Sequence, residues 1–147
     1  MMFDYYTTLV FLHVTSAVFA IGPLFIIIPI INRIRNEVEV NEKIYLSIIR
    51  VIIRIVMHAG HLLVTTGVLL ILFGPWPWHT SWVVMTVVVM GITAVFLASG
   101  FSKVLREFGE PHANKQYILK RLTFTTWIYI GLMLLLLWLM VQKPSFW

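Results

Sequence analysis

The sequence predicts an all-α protein: an antiparallel bundle of four transmembrane helices with both chain ends outside. Three observations carry that reading. Of the 147 residues, 60% are hydrophobic, with a mean hydropathy of +0.92, well above the apolar share of about 45–50% usual in soluble domains. Four apolar runs, Leu9 to Ile31, Val51 to Phe73, Ser81 to Gly100 and Thr123 to Val141, each reach the roughly 20 residues needed to cross a hydrocarbon core at about 1.5 Å rise. Ten of the eleven Lys and Arg flank the first and third connections, leaving only Lys143 on the other side. Cytoplasmic loops collect Lys and Arg, so both termini and "GPWPWHTSW" are expected outside a cell membrane. The basic excess then reports topology rather than nucleic-acid binding. A single domain over 1–147 uses the whole chain.

The start, "MMFDYY", lacks the basic segment and small-residue cleavage site of a signal peptide, so the first run reads as a retained helix. Pro23 and Pro29 fall inside it, where each removes a backbone hydrogen bond and favours a bend. The following "NRIRNEVEVNEKIYLSIIR" alternates charged with apolar residues and is expected to extend the second helix backwards along the inner membrane surface. Trp76, Trp78, Trp82, Tyr5, Tyr6 and Trp147 gather at the expected outer boundary, as interfacial aromatics do. In the third helix Gly91, Ala94 and Ala98 suit close helix contact. "REFGEPHANK" breaks at Gly109 to Pro111 and separates two helical extensions.

The chemistry lies in the histidines. Without cysteine the chain has no disulfide, no iron–sulfur ligation and no covalent haem attachment, so any cofactor is held non-covalently. On the second helix Ser47, Arg50, Arg54, His58, His61 and Thr65 follow steps of three or four residues, one helix face. Ionisable groups inside a membrane turn towards protein, ligand or water, so this face is expected to look inward. His13 lies about 12 Å below Tyr5, and His61 about 18 Å below Phe73, within roughly one helical turn of a common depth. Two imidazoles on facing helices bind a haem iron from opposite sides, each through one nitrogen lone pair. His13 and His61 are therefore the candidate ligands of one b-type haem, with Ser16, Ala17, Ala20 and Gly60 leaving room for the macrocycle. His58, deeper and on the same helix as His61, tunes or supports that site. Arg54 contacts a haem propionate, a quinone head group or lipid phosphate. The plainer role for each histidine is a hydrogen bond between helices. Met85, Met90, Met133 and Met140 form a thioether set suited to Cu(I), although methionines on apolar helices also simply pack. His79 and His112 sit in loops. The six acids are all at the ends or in loops, and no hydrolytic triad or phosphate loop occurs.

"LHVTSAVFAIGPLF", the basic first loop and a last helix ending "LWLMVQKP" resemble an uncharacterised family of predicted small integral membrane proteins. More distantly the chain is similar to HemJ-type protoporphyrinogen oxidases and the membrane domain of CopD-type copper proteins, helical bundles with a histidine at the place of His13. The HemJ resemblance implies a second functional residue, a lysine, near position 85; Met85 stands there. Four readings follow. The first is a haem b protein exchanging electrons with quinone or a redox partner, as a subunit of a respiratory complex or a homo-oligomer. The others are a HemJ-like oxidase, a cofactor-free accessory or assembly subunit, and a copper-handling membrane protein.

Overall fold

The computed structural model describes residues 2–36, 39–108 and 114–146. It consists of four helices: α1 (Met2–Asn36), α2 (Glu39–Phe73), α3 (Ser81–Glu107) and α4 (Lys115–Gln142), and no strand occurs among the described residues. Each helix is long and apolar enough to cross a membrane. All four outrun the apolar runs, because the charged segments beside them continue the helix. α2 begins at Glu39, so the backward extension expected of it is present. α1 continues through Pro23 and Pro29 as one helix. The break at Gly109 to Pro111, and with it Glu110, His112 and Trp147, lies outside the described residues.

The helices run up and down, so both termini and the α2–α3 loop share one end, here the terminal end; the other two connections form the loop end. α1 packs on α2 and α4, and α4 packs on α3, while α2 and α3 barely touch. The ring is therefore open along one seam. Towards the loop end it closes tightly: Ala20, Leu24, Ile27 and Ile31 form a fully buried stripe at steps of three and four on α1, facing Ile49 and Val56 of α2 and Leu119 and Leu122 of α4. Lys115 Nζ reaches Glu42 Oε2 at 2.7 Å and Arg121 reaches Glu107 at 2.9 Å, tying α2 to α4 and α3 to α4. Partly exposed pairs of this kind contribute less than about 1 kcal/mol each, so packing holds this end.

The terminal end is looser and carries its own fastening. Ser81 Oγ, at the start of α3, donates to the Pro144 carbonyl at 2.9 Å and accepts from the Phe146 N–H at 3.1 Å. Lys143, the α4 C-cap, adopts a left-handed conformation (φ 47°) and donates its N–H to the Leu139 carbonyl. A non-glycine residue there is strained by about 1 kcal/mol. The Ser81 fastening holds that turn and directs the Lys143 side chain back across the bundle end.

The face expected to look inward on α2 looks outward. Ser47, Arg50, Arg54, His58, His61 and Thr65 are all exposed on the bundle surface, while Ile49, Ile52, Ile53, Val56, Leu63 and Thr66 are buried. A bilayer accounts for the reversal: apolar side chains fill both the interior and the lipid-facing surface, so polarity alone does not mark the buried side of a membrane helix.

Candidate functional site

Two cavities occupy the looser part of the bundle. The larger, about 330 Å³, opens near the terminal end and is lined by His13, Trp76, Trp82, Met90, Met140 and Lys143, among others. The smaller, about 140 Å³, lies deeper in the open seam between α2, α3 and α4 and includes His61. Leu63, Met90 and Leu136 line both, so they form the partition.

His13 projects from α1 between α2 and α4. Its Nδ1 lies 3.0 Å from Thr66 Oγ1, and its Nε2 lies 3.5 Å from Met140 Sδ. The Thr66 hydroxyl donates its one hydrogen to the Leu62 carbonyl at 2.8 Å. With that hydrogen on the carbonyl, Thr66 accepts from His13 Nδ1–H; turned towards His13 instead, it donates to Nδ1 and the ring proton sits on Nε2. In the first tautomer the Nε2 lone pair faces the Met140 thioether, and in the second Nε2–H donates to that sulfur. The first sets two electron-pair donors together on the wall of an apolar cavity, the arrangement that a proton or a soft metal centre would join. Gly67 makes the pocket for the ring: a Cβ there would stand 3.2 Å from His13 Cε1.

The cavity mouth is aromatic and cationic. Lys143 Nζ sits 4.3 Å from the Trp76 ring centre and 5.6 Å from that of Trp82. Trp76 meets Trp82 edge to face at 5.5 Å. Among the described residues the Trp82 indole N–H is buried without a hydrogen-bond partner, a cost of about 1–3 kcal/mol. The aromatic belt expected at the boundary is thus also the cavity wall.

The depth argument placed His13 and His61 at one level on facing helices; the structure places them beside different cavities. His13 is level with Thr66, five residues beyond His61, which is about 7.5 Å along α2 and about 140° around it. His58 and His61 lie on the outer face of α2 with ring centres 6.4 Å apart and tilted, and Arg54 is exposed one turn further on. Met85 is half-buried on α3 and lines neither cavity. Ala94 and Ala98 border the deeper cavity instead of meeting a helix, and a Cβ at Gly91 would meet nothing within 4 Å. No group of three or more His, Cys, Asp or Glu suited to a metal ion occurs among the described residues; the donor pair at the terminal cavity is imidazole and thioether.

Thr66 was not marked by the sequence, although "VTTG" holds the signal: a hydroxyl beside a glycine on a membrane helix gives a partner and room for one ring. Thr66→Val keeps the shape and removes the hydroxyl. If the cavity holds a metal centre through His13, its affinity should fall about 10-fold, measured by titration of the purified variant against the parent.

No curated protein and no solved structure matches the chain. A family model described as a predicted integral membrane protein (DUF2269) matches residues 7–144, spanning all four helices and both cavities. The chain belongs to that family of integral membrane proteins.

Proposed function

We propose that the chain is a membrane electron-transfer protein that holds a b-type haem in the terminal cavity, with His13 and Met140 as its donors. The observation that carries this is the 3.5 Å approach of His13 Nε2 to Met140 Sδ on an apolar wall. In this reading Met140 takes the part that the depth argument gave His61. A bound haem would take His13 Nε2 and Met140 Sδ, which lie 3.5 Å apart, as its protein donors, and methionine's flexible stem would give the room. Lys143, held at the tryptophans of the cavity mouth, supplies a cation for a propionate. Bound haem supplies a reversible one-electron couple, tuned upward by a thioether ligand. Thr66 fixes the His13 orientation, the tryptophans exclude water, and Lys143 offsets carboxylate charge. The expected partner is quinone or a redox protein.

A second reading is Cu(I) bound directly by His13 and Met140, with Met90 on the same cavity wall. The 3.5 Å approach favours it, since two donors on the same side of one small ion sit this close without rearrangement. Metal and pyridine-haem analysis of the purified chain separates the two: about one haem iron per chain supports the first, about one copper without porphyrin the second. Neither after loading overturns both.

The outward polar face of α2 supports a further part of the proposal, that the chain works as a subunit of a larger assembly or a homo-oligomer. Arg54, His58 and His61 facing acyl chains would cost up to about 3 kcal/mol for a charged group, and a neighbouring polypeptide removes that cost. The cavity is read as external, with N-out and C-out topology. Because the chain has no cysteine, single-cysteine labelling tests this: His79→Cys should react with an impermeant thiol reagent in intact cells, and Lys43→Cys only after permeabilisation.

A further inference from the structure

The deeper cavity combines features that packing does not explain. Its volume, about 140 Å³, is the size class that holds one six-membered ring, since on the order of 150 Å³ accommodates benzene. Gly60, Ala94 and Ala98 keep it open: a Cβ on Gly60 would meet nothing within 4 Å, and both alanines are exposed along its edge. The opening is the seam where α2 and α3 separate, so access is sideways from the bilayer.

Three polar side chains border this apolar space, Tyr129, His61 and Thr93. Tyr129 of α4 is 2% exposed, and its ring packs edge-on against Phe101 at 6.0 Å between centres. Its hydroxyl makes no hydrogen bond with any described residue, and this cavity is the one it lines. His61, on the α2 side, brings an imidazole N–H to the mouth. Counted from the Glu42–Lys115 pair that ties α2 to α4, His61 lies about 7 Å nearer the terminal end than Tyr129, so the two reach opposite ends of one bound ring. Thr93, also on the wall, has already donated its hydrogen to the Val89 carbonyl at 2.7 Å. Tyr129 and His61 are thus the two donors offered to a bound molecule.

We infer that this cleft binds the head group of a lipid-soluble quinone, a flat apolar ring whose two opposed carbonyl oxygens accept hydrogen bonds from Tyr129 and His61 while its tail leaves through the seam into lipid. An acyl chain fills such a cleft without using either donor; a quinone uses both. The binding argument stands on the cleft alone, and only the quinone's service as electron partner rests on the haem reading.

The test is equilibrium binding of a radiolabelled short-tailed quinone to the full chain purified in detergent, with haem content read on each preparation. Saturable binding of one quinone per chain is expected, weakened about 10-fold by Tyr129→Phe and several-fold by His61→Leu. Gly60→Leu, whose side chain has free space, should fold as the parent and abolish binding by filling the cleft. Binding that is absent, indifferent to all three variants, or displaced equally by an alkyl-chain detergent overturns the inference, the last identifying an acyl-chain groove. Colourless protein that still binds quinone leaves it standing and removes the haem reading.

Discussion

His13→Ala should leave a protein that inserts and folds but has lost its haem absorption, whereas Met140→Leu should retain haem at a potential lower by about 100 mV. The asymmetry follows from the two donors. His13 is anchored by Thr66 at one nitrogen and presents the other, so in the proposed haem site its removal would take away the stronger ligand and its orientation together. Met140 is a thioether, a weak ligand whose chief effect on haem iron is to raise the potential. His61→Ala, beside the other cavity, should leave the spectrum unchanged. Redox titration of the three variants reads all of these outcomes.

The largest effect on stability is expected at Phe101. It is fully buried on α3, stacks edge-on against Tyr129, and joins the apolar contact between α3 and α4. Within a bilayer the water-to-oil part of the usual penalty is small, because lipid is as apolar as the core. What Phe101→Ala loses is the packing, and the void left behind costs about 2 kcal/mol or more. Thermal unfolding in detergent should show it. Glu42→Gln, which breaks only the partly exposed pair with Lys115, should change stability by less than about 1 kcal/mol.

The difference between these two sites mirrors what the sequence makes legible. Helix number follows from apolar length, a local property, and the structure has the four helices, each at least as long as its apolar run. Which way each helix faces is another matter. In water the steps of Ser47, Arg50, Arg54, His58, His61 and Thr65 would mark a surface; inside a membrane the same steps suggested an interior seam, and the helix turns them outward. The bilayer does not punish an exposed Ile, so burying Ile49 and Val56 instead is decided by how α1 fits them. His13 was legible as a candidate because a lone histidine in an apolar run needs a partner. That partner, Met140, lies 127 residues away, and no helical spacing connects the two. The depth count put His61 within a turn of the right level, and the rotation of α2 placed Thr66 and Gly67 there instead.

The proposed haem site stands on His13 and Met140 holding the group together in the terminal cavity. The most direct measurement is the magnetic circular dichroism of the oxidised, purified protein in the long-wavelength region, where a methionine sulfur on ferric haem gives a charge-transfer band distinct from that of two imidazoles. Expected is the methionine-type band, lost in Met140→Leu and untouched in His61→Ala; a two-imidazole band that disappears in His61→Ala, or protein that takes up no haem, would contradict it.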